Sequence, residues 1–230
     1  GLNDATRNQE NTTGLQAADY GLGGIGGTTN INATASQIRK GFRVSVANGN
    51  QMYRFRAMVS YASGLLDNGW SYAFSVSTRQ GGNDWIKGIY YNCFGYYGSV
   101  EKRFNERNRL AFTILGAPTE RGAQQASTQE AYDLVGNNYY NPNWGYQDGK
   151  MRNARVRNNH EPLMVLNYTN TPDERTKIDA AASFRFGSNG YSALTWKSGA
   201  DPRPDYYRNL PSYYMASNQF SNAAQIAELW

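Results

Sequence analysis

The chain has 230 residues and a formal net charge of +5, with 18% charged, 40% hydrophobic and 14% aromatic residues, 24 Gly and one Cys. So many aromatics exclude a disordered chain, aperiodic Gly excludes collagen, and a single Cys excludes a disulfide scaffold. Tyr, Asn, Gly and Thr in this proportion suit twisted strands joined by turns and long polar loops.

The chain opens in polar sequence without an initiator Met or signal peptide, which reads as a mature chain or, in preference, as a piece of something longer. The longest uncharged run, Tyr20–Ile38, has the length of a membrane helix but is crowded with Gly, Thr and Asn. Within it, Gly21, Gly23 and Gly26 match G-x-G-x-x-G. A dinucleotide site needs a strand before, a helix after and an acid about 20 residues on. Here a β-prone run follows and Val46 stands at that place, so the glycines read as a kinked, close-packed connection.

From Phe42 onward, alternation dominates. Phe42, Val44 and Val46 form one apolar row, and Tyr53, Phe55, Ala57, Val59 and Tyr61 a second, opposed by Arg54, Arg56, Met58 and Ser60. Trp70, Tyr72, Phe74 and Val76 oppose Ser71, Ala73, Ser75 and Ser77. Leu110–Ile114 and Ile178–Phe186 repeat the pattern, and Phe94–Phe104 and Leu163–Tyr168 bring the count to about seven antiparallel strands.

The connections alternate in length. Asp67–Gly69, Asn105–Asn108 and Thr171–Arg175 are tight turns of Asn, Asp, Gly and Pro, whereas residues 81–93, 117–161 and 188–230 are long. In an up-and-down meander this parity puts every long loop at one end. Transmembrane barrels show that asymmetry, and their strands of 9–11 residues match several segments here. The fold class expected is therefore all-β: a meander forming part of a large transmembrane β-barrel. Tyr53, Phe55, Val59, Tyr61, Trp70, Tyr72, Phe74 and Val76 face lipid, and Arg54 and Arg56 face a polar lumen. In the long loop, Ser127-Thr128-Gln129-Glu130 has the form of a capping box, followed by a short helix over Ala131–Val135 that Gly136 ends. Asn137–Tyr146 is too rich in turn residues for a regular element, and Ser221–Trp230 reads as a second short helix.

Catalytic chemistry finds little to use. His160 and Cys93 are each the only residue of their type, so no zinc cluster forms; they read as a surface imidazole and a loop thiol. Glu120, Glu130 and Asp133 are the carboxylates that a glycoside-hydrolysing or carbohydrate-binding module would use, the alternative reading. Arg152, Arg155 and Arg157 cluster, but the basic residues are otherwise dispersed among acids, which argues against nucleic acid. No metal and no cofactor is expected. Loop aromatics among amides and guanidinium groups are the better ligand surface, because ring faces bury CH groups while neighbours bond hydroxyls. The candidate ligand-binding residues are Trp85, Tyr139, Tyr140, Asn141, Trp144, Tyr146, Trp196 and Tyr206.

The run Ile25-Gly26-Gly27-Thr28-Thr29-Asn30-Ile31 resembles the end of the plug domain of TonB-dependent outer-membrane transporters. Gly116–Gly122, Ala126–Leu134, Asn137–Gly149 and Asp201–Tyr214 resemble the SusC/RagA-like branch of Bacteroidetes. The resemblance implies that residues 1–33 end a plug and that residues 34–230 begin a 22-stranded barrel. It also implies import of a nutrient such as a glycan, peptide or chelated metal, with no enzymatic activity. The implied partners are outer-membrane lipid, the rest of the barrel and plug, TonB through a segment outside this chain, and a SusD-like lipoprotein.

Overall fold

The computed structural model describes residues 9–15, 24–50, 52–82 and 85–230. The fold is all-β and antiparallel. A hairpin of β1 (Gln9–Thr13) and β2 (Gly27–Ile31) comes first, joined by a 3-10 turn at Ala35–Gln37 to the main sheet. Gly24–Gly26 enter this hairpin, and a strand rather than a helix follows them; Gly21 and Gly23 lie outside the described residues. Gly27 has φ 113°, and a Cβ on it would fall 2.1 Å from Thr12 O, so this position needs glycine. Gly26 meets nothing within 4 Å.

The meander then runs through β3 (Gly41–Asn48), β4 (Phe55–Ala62), β5 (Trp70–Gln80), β6 (Tyr90–Arg103) and β7 (Asn108–Gly116). Beyond β7 come β8 (Thr119–Gly122), helix α1 (Gln129–Val135), the hairpin β9 (Trp144–Gln147) and β10 (Lys150–Asn153), and β11 (Val156–His160). Then follow β12 (Leu163–Asp173), β13 (Thr176–Arg185), β14 (Ser188–Tyr191), α2 (Pro211–Ala216) and α3 (Phe220–Leu229). The spatial order is β13-β12-β7-β6-β5-β4-β3, seven strands as expected, with β3 and β13 at open edges.

Strands β8, β11 and β14 extend three of the seven upward. β7 stops at Ala117-Pro118, β12 is preceded by Glu161-Pro162, and β13 ends before Phe186-Gly187. The register nevertheless carries straight through: Leu163 pairs Leu115 below the break, and Asn159 pairs Thr119 above it. Proline has no N–H for the ladder, so Pro118 and Pro162 interrupt pairing without shifting it. Their carbonyls still accept, from Phe94 N at 3.0 Å and Phe186 N at 3.4 Å. The long loops are therefore shorter than their sequence spans. β6 already begins at Tyr90, β8 to β11 occupy much of 117–161, and β14 opens 188–230.

The sheet is inverted relative to a soluble core. On β5, Trp70, Tyr72, Phe74 and Val76 are exposed while Ser71, Ala73, Ser75 and Ser77 are buried. Pairing extends the apolar face across the sheet, from Phe42 to Tyr61, Phe74, Gly98, Ile114, Met164 and Phe184. The opposite face carries Ser99, Glu101 and Thr113, each under 4% exposed. The 3-10 turn covers it. Ser36 Oγ donates to Glu101 Oε2 at 2.7 Å, Tyr97 OH donates to Ala33 O, and Ala35 packs against Ala62, Ala73 and Tyr97.

One expected member of the apolar row belongs elsewhere. Tyr53 precedes β4, with its ring 6.4 Å from Tyr91 and under the Arg79 guanidinium at 5.7 Å, and both partners belong to the polar face. Cys93 also differs from expectation. It is a strand residue, 2% exposed, and accepts from Thr119 Oγ1 at 3.3 Å. No helix among the described residues is long and apolar enough to cross a membrane, which says nothing of strands.

Candidate functional site

Above the proline breaks, the loops fold into a crown. Its frame is a knot of asparagines centred on one carbonyl. Ala123 O accepts from Nδ2 of Asn141 (3.4 Å), Asn143 (3.3 Å) and Asn153 (3.0 Å). Asn141 Nδ2 also reaches Lys87 O, and Asn153 Nδ2 reaches Gly88 O, so the knot ties the β5–β6 loop to the long loop. Asn141 Oδ1 accepts from Gln125 N and Asn143 N. With both ends of its amide engaged and 1% exposure, Asn141 ties the two loops together, and it also lines the cavity they form.

Helix α1 forms where the sequence places it, with one exchange of roles. The N-cap is Thr128, whose Oγ1 accepts from Ala131 N at 3.3 Å, and Gly136 ends the helix at φ 74°. Ser127 instead donates to Asp205 Oδ2 at 2.8 Å, and Glu130 accepts from Ser212 N and Oγ at 2.9 and 2.6 Å. The residues of the apparent capping box thus tie α1 to the C-terminal segment. Glu130, with both oxygens engaged at the start of α2, is not paired with Asp133, which accepts from Gln129 Nε2. Glu120 lies apart in β8.

These ties enclose a cavity of about 600 Å³ between the β5–β6 loop, the segment after α1, and α3. Trp85, Tyr139, Tyr140 and Trp144 line it together with Lys87 and Trp230. Trp85 and Tyr139 are 5.9 Å apart, Tyr140 and Trp230 5.4 Å, and Lys87 Nζ stands 4.8 Å over the Trp144 ring. Gly88 permits this closeness: a Cβ there would strike Trp144 Cβ at 2.3 Å. The Tyr140 hydroxyl is buried without a partner beside Asp205, whose Oδ1 is also unpartnered. Burial and the Asp205 charge push the Tyr140 phenol well above its usual range, so it stays protonated.

The cavity therefore gathers four of the expected aromatics, and three lie outside it. Tyr146 is 68% exposed, edge-on to Trp144 at 5.8 Å. Trp196 lies under the Arg203 guanidinium at 5.5 Å, and Tyr206 packs on Tyr207 at 4.7 Å. Arg203 grips Asp201 through Nε at 2.9 and 3.0 Å, which holds the Asp201 carboxyl below the usual carboxylate range. Sequence reasoning missed Lys87 and Trp230. The helix expected over Ser221–Trp230 carries the signal for the second, with Ala223, Ile226 and Trp230 on one face. Among the described residues, no three His, Cys, Asp or Glu side chains gather as metal ligands.

An apolar exterior, a polar covered interior and loops crowded at one end define a segment of barrel wall with its mouth. No protein-family model matches the chain, and no curated protein matches it. Among solved structures, it is similar in fold to the siderophore receptor PiuA from Acinetobacter baumannii. The TM-score is 0.57 at 17% identity, over 80% of this chain and 26% of that one. The chain thus spans about a quarter of that receptor's length.

Proposed function

We propose that the chain is part of an outer-membrane transporter of the TonB-dependent type, and is not an enzyme. The observation that carries this reading is the inverted sheet. Phe74 and Phe112 stand exposed on one face while Ser71, Ser99 and Glu101 are buried on the other. In water this arrangement leaves a broad apolar surface uncovered, whereas in a bilayer it is the stable arrangement for a barrel wall.

In this reading, residues 1–33 end the plug, and residues 34–230 are the first strands of the barrel. Trp70, with Lys102 Nζ 5.0 Å over its ring, and Tyr168 anchor the tight-turn end at the membrane surface. The crown faces outward and contacts the ligand through its aromatic cavity. The segments at Gly116–Gly122 and Asn137–Gly149 favour the SusC/RagA-like branch. That adds a SusD-like lipoprotein above the crown and TonB below, with a glycan, peptide or chelated metal as cargo.

An epitope tag tests the placement. Inserted between Asp148 and Gly149, at the β9–β10 turn, it should be stained by antibody on intact cells. The same tag between Glu174 and Arg175 should be stained only after lysis. Equal staining at both sites on intact cells contradicts the proposal.

A further inference from the structure

Above the proline breaks, one register row crosses four strands. Tyr91 of β6 pairs with Arg121 of β8, Arg121 with Arg157 of β11, and Arg157 with Tyr191 of β14. Counting alternate residues down each strand puts all four on the face that carries Cys93, Ser99 and Thr113, the inner one. Two guanidinium side chains thus stand directly opposite on adjacent strands, their Cβ atoms about 5 Å apart, an arrangement that destabilises a sheet. The ion pairs at Lys177, Arg185 and Arg203 do not reach Arg121 or Arg157. A third arginine adds to the charge. Arg155 and Arg157 share a recess of about 400 Å³ with Asn189, Tyr191 and Gln125. At the other end of the row, Tyr91 meets Tyr53 beneath Arg79.

We propose that this row is an anion-binding site on the inner face, taking a ligand that carries carboxylate or phosphate groups on a ring. Each guanidinium offers a planar fork of donors to such an oxyanion. An anion between Arg121 and Arg157 turns their repulsion into binding energy, and Tyr191, 81% exposed, is a flat surface for the ring. The site is separate from the aromatic cavity of the crown. It rests on the register and the recess beside it, whether or not the chain belongs to a transporter.

Calorimetry on the intact protein in detergent tests it, with trigalacturonate as the carboxylate probe, myo-inositol hexakisphosphate as the phosphate probe and maltotriose as the neutral control. At low salt at least one acidic probe should bind, more weakly as salt rises. Whichever binds identifies the oxyanion. Replacing both arginines (Arg121→Gln with Arg157→Gln) should weaken that binding about tenfold or more. The same change at Arg175, in the turn at the opposite end, should leave it unaltered. Arg157→Gln alone, at an exposed side chain, gives the same direction of change if the double variant does not fold. Failure of both acidic probes to bind, or binding that survives the loss of Arg157, overturns the proposal. So does a loss of maltotriose binding equal to the loss for the acidic probe.

Discussion

The band of seven strands and the crown above it are built from one continuous register but held together differently. In the band, Ser71, Ser99 and Thr113 are buried while Trp70, Phe74 and Phe112 face out, so stability there depends on what surrounds the sheet. In the crown, side-chain amides and carboxylates tie loops to one another: Asn141 to Lys87 O, Ser127 to Asp205, Glu130 to Ser212. The change falls at Pro118, Pro162 and Gly187. A Cβ on Gly187 would lie 1.9 Å from His160 O, so the third break is fixed by close backbone approach. The same strands therefore form a two-faced sheet below and carry the folded loops of the crown above.

That contrast predicts a gradient of effects. The largest should come from charging the outer face of the band. Phe74→Arg should destabilise the intact protein by about 2–4 kcal/mol in lipid, read by urea titration of its folded form. Tyr146→Arg in the crown, already exposed, should change stability little. Next comes the asparagine knot. Asn141→Ala strands several backbone groups and should loosen the crown by about 1–3 kcal/mol, seen as faster protease cleavage near Lys87 with the band still protected.

Acid should separate the regions further. The Asp201 carboxyl is held below its usual value by Arg203, so its contribution is complete above the unfolded value of about 3.9 and is lost as pH falls through the lower folded one. Trp196, beneath Arg203, should report this as a fluorescence change as pH falls below about 4 that is absent in Asp201→Asn. The smallest effect is expected at Tyr140. Its hydroxyl is buried and unpartnered, so Tyr140→Phe should be neutral or stabilising by less than about 1 kcal/mol in thermal unfolding.

How much of this was legible in the sequence follows the same division. The band is readable because each strand has one apolar and one polar face; Trp70–Ser77 reveals period two whichever face is inside. The upward extensions are not. Thr119-Glu120-Arg121 and Arg157-Asn158-Asn159 are polar on both faces and have no alternation to detect. Tyr53 kept the expected spacing, but β4 starts two residues later, and outside a strand parity no longer fixes direction. In the crown the sequence shows which residue types are present but not their roles. Ser127 and Glu130 have the spacing of a cap and are recruited by Asp205 and Ser212, about eighty residues away. The cavity likewise joins Trp85, Tyr140 and Trp230, which only the folded chain brings together.

The central proposal is that the large apolar side chains on the outer face of the band meet lipid and the small polar ones line the polar interior. Spin labels at Phe74 and Ser75, neighbours on β5 that point to opposite faces, test it most directly in the intact protein reconstituted in vesicles. The label at Phe74 should be relaxed mainly by oxygen and the label at Ser75 mainly by aqueous nickel chelate. The reverse order, or nickel access at Phe74 equal to that at Ser75, would contradict the account.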